Sequence, residues 1–172
     1  MTTLTQINAM DEAAFVQALG GVFEHSPWVA QRAFARRPFA SVDALHAAMV
    51  AVVDRAAEAE KLALLRAHPE LAGKAAIRGE LTADSTSEQS GAGLAQCSAE
   101  EYARLTDLNA TYNARFGFPF ILAVKGYDRA GIIDEFARRV TRDRAVEFAE
   151  CLRQIGRITR MRLDVLINQG SS

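Results

Sequence analysis

The chain has 172 residues, 49% of them hydrophobic and 24% charged, with a formal net charge of −1. That length suits a single domain, taken here as 1–172, with a sizeable core, and the proportions exclude wholesale disorder. Near-neutrality removes any general pull toward nucleic acid or anionic lipid, and no apolar run approaches the roughly 20 residues that span a bilayer.

The opening Met1-Thr2-Thr3-Leu4-Thr5-Gln6 has neither a basic nor an apolar signal region, so no secretion signal is expected. Asp11 is placed to cap a first helix with Phe15 and Leu19 on one face, broken by Gly20-Gly21. Ser26-Pro27-Trp28 is a start signal, with serine at the cap and proline at the first helical position. Ser41 opens a long helix with a stripe of Leu45, Met49, Val52 and Val53. That helix, or one after it, carries Leu62 and Leu65 to Ala67, where Pro69 disfavours helical geometry at His68.

Residues 69–84 read as loop or irregular turns. Ser85 to Glu88 fits a capping box opening a helix, and Ser98 to Glu101 fits another that leads into Leu105, Leu108 and Tyr112. The stretch from Phe116 to Gly126 breaks the helical pattern, with Gly117, Pro119 and Gly126 among apolar residues. Asp128 and Asp143 are caps for the last helices, and the final one carries Ile155, Ile158, Met161 and Val165 at helical spacing. The Gly170-Ser171-Ser172 ending is expected to be flexible. The expected fold is all-α: one bundle of seven or eight helices with one irregular apolar loop.

Cys97 and Cys151 are far apart and read as reduced thiols of a cytoplasmic protein. His25, His46 and His68 lack zinc-site spacing, so no metal is expected. His68 lies at a helix end beside a proline, and histidine is a residue type suited to acid–base work near neutral pH; it also fits a histidine that merely satisfies terminal carbonyls. Glu88 reads first as a cap glutamate, but a helix start also attracts ligand oxygens, and Ser85 and Gln89 stand beside it. The loop with Phe118, Phe120 and Ile121 fits either a core filler or a pocket wall offering main-chain groups. Arg162 is either a snorkelling arginine or a planar donor fork, and Arg153, Arg157 and Arg160 lie close by. Trp28 and His25 read as structural.

These stretches together resemble a known family, the 2-oxo-4-hydroxy-4-carboxy-5-ureidoimidazoline (OHCU) decarboxylases. The matching segments are Glu24 to Trp28, Arg66 to Gly73, Ser85 through Glu88-Gln89 to Leu94, Leu108-Asn109, Tyr112, Phe116 to Ile121, and Ile158 to Arg162. They occur in the family's order and spacing through nearly the whole chain. The resemblance implies an all-helical homodimer without a cofactor that converts OHCU, a small molecule of urate degradation, to (S)-allantoin. It makes His68 and Glu88 catalytic. Ser85, Gln89 and Arg162 become substrate-binding, Pro69 packs on the ring, and the Phe118–Ile121 loop lines the pocket, with Phe118 and Phe120 as an apolar wall. The family's eukaryotic members often end in a peroxisomal signal that this sequence lacks, which favours the cytoplasm. Within the His68 segment, Glu70 and Lys74 are assigned structural parts. Two rival readings keep the scaffold: a non-catalytic interaction domain, and a different small-molecule lyase or hydrolase.

Overall fold

The computed structural model describes residues 2–168, with the side chains of Lys74, Ala75 and Asn168 outside the described set. The expected flexibility of the Gly-Ser-Ser ending and the reading of the Lys74 side chain lie outside the described residues. Among those residues the fold is all-α apart from one two-residue strand pair, Thr2–Thr3 parallel to Ile167–Asn168. No helix is long and apolar enough to cross a membrane.

The chain divides into two compact units. The terminal unit is drawn from Met1–Ala67 and Gly156–Ser172, and the central unit is His68–Ile155. The terminal unit contains α1 (Leu4–Ala9), α2 (Glu12–Leu19), α3 (Trp28–Ala33), α4 (Val42–Asp54) and α5 (Glu58–Ala67). The central unit contains α6 (Lys74–Ile77), α7 (Ala83–Gly91), α8 (Ala99–Phe116) and α9 (Arg129–Arg139), and α10 (Arg144–Leu166) starts in it and ends in the terminal unit.

The expected helices are present, and Leu62 and Leu65 lie on a separate helix, α5, rather than on a continuation of α4. The two additions are short: α1, opened by a Thr3–Gln6 capping box, and the single turn of α6 inside the expected 69–84 loop. A helix of one turn has no periodicity to read.

In the terminal unit Asp11 accepts from Ala14 N–H and Ser41 from Ala44 N–H, as expected of caps. Phe15, Leu19, Leu45 and Met49 are fully buried, and the Phe15 ring meets Phe34 and Phe39 at 5.5 and 6.3 Å. Ser26 does not cap α3. Pro27 takes that position, and the buried Ser26 hydroxyl donates to the Glu24 carbonyl at 2.9 Å. A buried hydroxyl must find an acceptor, and Pro27 presets the helix entry without it. Val165 is 73% exposed, against the expected face of α10. The buried face there runs through Ile155, Ile158, Thr159, Arg162 and Leu163. It includes two polar residues that an apolar count passes over.

In the central unit the Ser98–Glu101 capping box opens α8, and Gly117, at φ 79°, closes it in the left-handed conformation that glycine tolerates. Asp128 caps α9 through Gly131 N–H. The Tyr112 ring centres the core, with Phe116, Phe118, Phe120 and Phe136 at 4.5, 6.1, 5.5 and 5.7 Å. The cap of α7 is Thr82, whose side chain accepts from Ser85 N–H, so the expected Ser85–Glu88 capping box is not formed. The helix begins earlier, and Ser85 and Glu88 lie within it.

Candidate active site

His68 is the first residue beyond α5 and is 6% exposed. The turn that follows has no ladder of its own, so its main-chain groups need side-chain partners. Gln89 supplies two: its Oε1 accepts from Ala72 N–H at 3.0 Å, and its Nε2 donates to the Glu70 carbonyl at 3.2 Å. Asn109 Nδ2 donates to the Leu71 carbonyl at 3.0 Å, and Asn113 Nδ2 donates to Glu70 Oε1 at 2.6 Å. Side chains of α7 and α8 thus clamp the turn from two sides. Ala72 sits at φ 50°, a left-handed value that costs a non-glycine residue energy, so the clamp holds a strained geometry. Gly73 is required by space, because a Cβ there would come within 2.7 Å of Glu70 Cβ.

Ser85 and Gln89 are buried one turn apart on α7, with half-buried Glu88 beside them. Moving the cap to Thr82 frees Glu88 from the end-capping task the capping box assigned it. Half-buried Pro69 follows His68 directly. The structure therefore joins the His68 turn to α7 through Gln89. A cavity of about 490 Å³ flanks this region, lined by residues that include Leu81, Thr86, Leu94 and Tyr102, and Gln89 is the one predicted residue on its wall.

The Phe118 and Phe120 rings pack into the aromatic core, at 1% and 0% exposure. Phe120 stacks on Phe136 at 3.9 Å. What the loop can offer a ligand is its main chain. Three anchors hold it: Cys151 Sγ donates to the Pro119 carbonyl at 3.9 Å, Arg139 Nη1 donates to the Ile121 carbonyl at 2.8 Å, and Ala123 N–H donates to Gln154 Oε1 at 3.0 Å.

Arg162 belongs to the terminal unit. Its Nη1 donates to Glu24 Oε2 at 2.7 Å and to the Val22 carbonyl at 3.3 Å, and both charged side chains are buried. Glu24 offsets the charge of the buried guanidinium. His25 is exposed at φ 47°, and Arg32 lies over the Trp28 ring at 4.7 Å, contacts that give neither residue a chemical task. Both cysteines are free thiols, and burial raises the Cys151 pKa.

The family model for the OHCU decarboxylases matches residues 8–164. The chain belongs to the OHCU decarboxylase family. It is 44% identical over 161 residues to the 2-oxo-4-hydroxy-4-carboxy-5-ureidoimidazoline decarboxylase of Haloferax volcanii, covering 94% of each chain. It is 40% identical to the enzyme of that name from Halalkalicoccus jeotgali, over 96% of this chain and 93% of that one. A crystal structure of (S)-allantoin synthase superposes with a TM-score of 0.78 at 29% identity, over 98% of this chain; this chain spans 54% of that longer one.

Sequence reasoning did not single out Asn109, Asn113 or Glu24 for a task in this family member. The two asparagines stand one turn apart on α8, and Asn109 is buried at 4% exposure among Leu105, Leu108 and Tyr112. An asparagine on a buried helix face is the available signal, since it must hydrogen-bond to something.

Proposed function

We propose that this decarboxylase converts OHCU to (S)-allantoin and carbon dioxide in urate degradation, working as a cytoplasmic homodimer with 1–172 as one functional domain. The observation that carries the reading is the family match over residues 8–164, combined with a buried His68 on a strained turn held by Gln89, Asn109 and Asn113. Strain retained at Ala72, in a clamped turn that follows a buried histidine, is expected where placement matters to function.

The substrate ring carries a carboxylate and a hydroxyl on one carbon, next to an imine carbon bearing the ureido group. When the carbon–carboxylate bond breaks, its electron pair forms a ring double bond and the imine pair moves to nitrogen, which takes a proton. The resulting enol loses its hydroxyl proton as the carbonyl forms, and the ureido-bearing carbon gains one. The net reaction consumes one proton per carbon dioxide released. His68 takes the hydroxyl proton as general base. Glu88 orients His68 or holds the ureido and ring N–H groups. Ser85, Gln89 and the main chain of the Phe118–Ile121 loop bind amide-like edges, and Pro69 packs on the ring.

Arg162 binds a ring or ureido oxygen. A grip on the departing carboxylate would stabilise the ground state and leave the barrier unlowered. Protonation from one face sets the S configuration. The test generates OHCU from urate in place and follows optical activity. Accelerated formation of dextrorotatory allantoin is expected, and its absence would sink the assignment. A folded His68→Ala variant with full activity would remove His68 from the mechanism.

A further inference from the structure

Behind the apolar loop lies a buried charge network that the decarboxylation chemistry does not use. Arg139 and Glu147 are both 0% exposed, and so are Tyr112 and Cys151. Arg139 Nε donates to Glu147 Oε1 at 2.9 Å, Tyr112 donates its hydroxyl proton to the same oxygen at 2.5 Å, and Arg142 Nη1 donates to Oε2 at 3.3 Å. Arg139 also reaches Cys151 Sγ at 3.4 Å and lies 4.4 Å from the centre of the Phe120 ring. Its Nη1 takes the Ile121 carbonyl at 2.8 Å.

A buried ion pair is a weak source of stability, because apolar residues of similar volume often do as well or better. What apolar residues cannot supply is a rigid donor fork aimed at a carbonyl. The anchors on the loop fall on Pro119, Ile121 and Ala123, which are alternate residues. In an extended segment, main-chain groups of alternate residues point to the same edge. The anchored edge faces α9 and α10, and the groups of Phe120 and Leu122 belong to the opposite edge.

We propose that Arg139, held by Glu147, which the Tyr112 hydroxyl holds in turn, is a positioning residue of the decarboxylase: by fixing the Ile121 carbonyl it sets the register in which Phe120 and Leu122 offer main-chain N–H and C=O groups to the amide-like edges of the substrate. This rests on the decarboxylase reading. The ring held this way presents one face to the incoming proton, so the hub also bears on which enantiomer forms.

The decisive variant is Arg139→Met with Glu147→Met, which removes both charges and leaves no orphaned partner within the pair. Three quantities are read: kcat and KM on OHCU generated from urate, the enantiomeric composition of the allantoin, and amide hydrogen exchange at Phe120 and Leu122 without substrate. The expected result is a cooperative melt, faster exchange at those amides, KM raised about tenfold or more, and partly racemic product. Arg139→Lys should restore part of the loss, because an ammonium reaches the carbonyl without the planar fork. A folded double variant with unchanged exchange, KM and enantiomeric composition overturns the proposal. If the double variant does not fold, Arg139→Lys and Tyr112→Phe decide in the same way: raised KM with faster exchange supports the hub, and unchanged values overturn it. Failure of the unsubstituted chain to decarboxylate OHCU would instead sink the functional reading, while the exchange measurement still tests what Arg139 holds.

Discussion

Gln89→Met removes both ends of the amide that grips the turn after His68 while keeping the length of the side chain. The buried Ala72 N–H loses its acceptor at 3.0 Å, and the Glu70 carbonyl loses a donor at 3.2 Å. An orphaned buried amide costs about 1–3 kcal/mol and a second lost bond about 1 more, so a turn that stayed in place would forfeit roughly 2–4 kcal/mol. The turn has an alternative, however. Ala72 is held at φ 50°, and leaving the left-handed region returns about 1–2 kcal/mol. The net loss of stability is therefore about 0–3 kcal/mol, with Tm falling roughly 2–4 °C for each kcal/mol lost in a chain of this size. Relaxation moves the residues next to His68, and a displacement of about 1 Å at a reacting group costs about a hundredfold in rate. Activity should thus fall much further than stability.

Asn109→Leu separates the clamp from direct substrate contact, because Asn109 reaches the turn through the Leu71 carbonyl. The substitution orphans that carbonyl but also removes Asn109 Oδ1, which is buried with no hydrogen-bond partner among the described residues. The two effects, about 1–3 kcal/mol each, roughly cancel. Expected are near-unchanged melting, a large drop in kcat/KM, and a double variant with Gln89→Met that loses less than the sum of the two. Thermal melting and the coupled urate assay read both quantities. Full activity in folded Gln89→Met and Asn109→Leu would refute the clamp.

Ala72→Gly relieves the left-handed strain, less the added freedom of the unfolded chain, and should raise stability by about 0.5–1 kcal/mol in denaturant titration. Gly73→Ala drives a Cβ to 2.7 Å from Glu70 Cβ, a main-chain-bound atom with little room to move; a loss of about 1–3 kcal/mol and reduced activity are expected. Glu24→Ala leaves the buried Arg162 charge without its carboxylate and should cost about 3–5 kcal/mol, read as a shift in denaturation midpoint. Burial lowers the pKa of His46 from its ordinary 6.5, outweighing the raising effect of its bond to the Gly156 carbonyl. Below 6.5 the unfolded chain takes up a proton that the folded chain resists. His46 therefore imposes no penalty above that pH and lowers stability as pH falls toward the depressed folded value. His46→Gln should flatten that part of the stability profile, and an unchanged slope would count against the buried neutral histidine.

The parts of this fold that were legible in the sequence are those whose chemistry is local. Asp11, Ser41, Ser98 and Asp128 each cap the helix expected of them, because a cap and its amide lie three residues apart. Thr82 and Ser85 compete for the start of α7, and the more complete box pattern at Ser85 misleads, since in the structure Ser85 is needed on the buried face with Gln89. Periodicity shows which face of a helix is buried and not what lies against it. The Asn109–Leu71, Arg139–Ile121 and Arg162–Glu24 contacts join residues 38, 18 and 138 positions apart, beyond the reach of any local pattern.

A physical rule nevertheless links these contacts. The turn after His68 and the loop through Phe118–Val124 are irregular and buried, so they cannot satisfy their own main chain. Their carbonyls and amides must be met by side chains on neighbouring helices, and those side chains must interrupt apolar faces. Gln89 on α7, Asn109 on α8, Arg139 on α9 and Gln154 on α10 do this. A long polar side chain on an otherwise apolar helical stripe therefore marks where an irregular segment from elsewhere in the chain is held. In this protein the segments so held are the ones that carry the proposed chemistry.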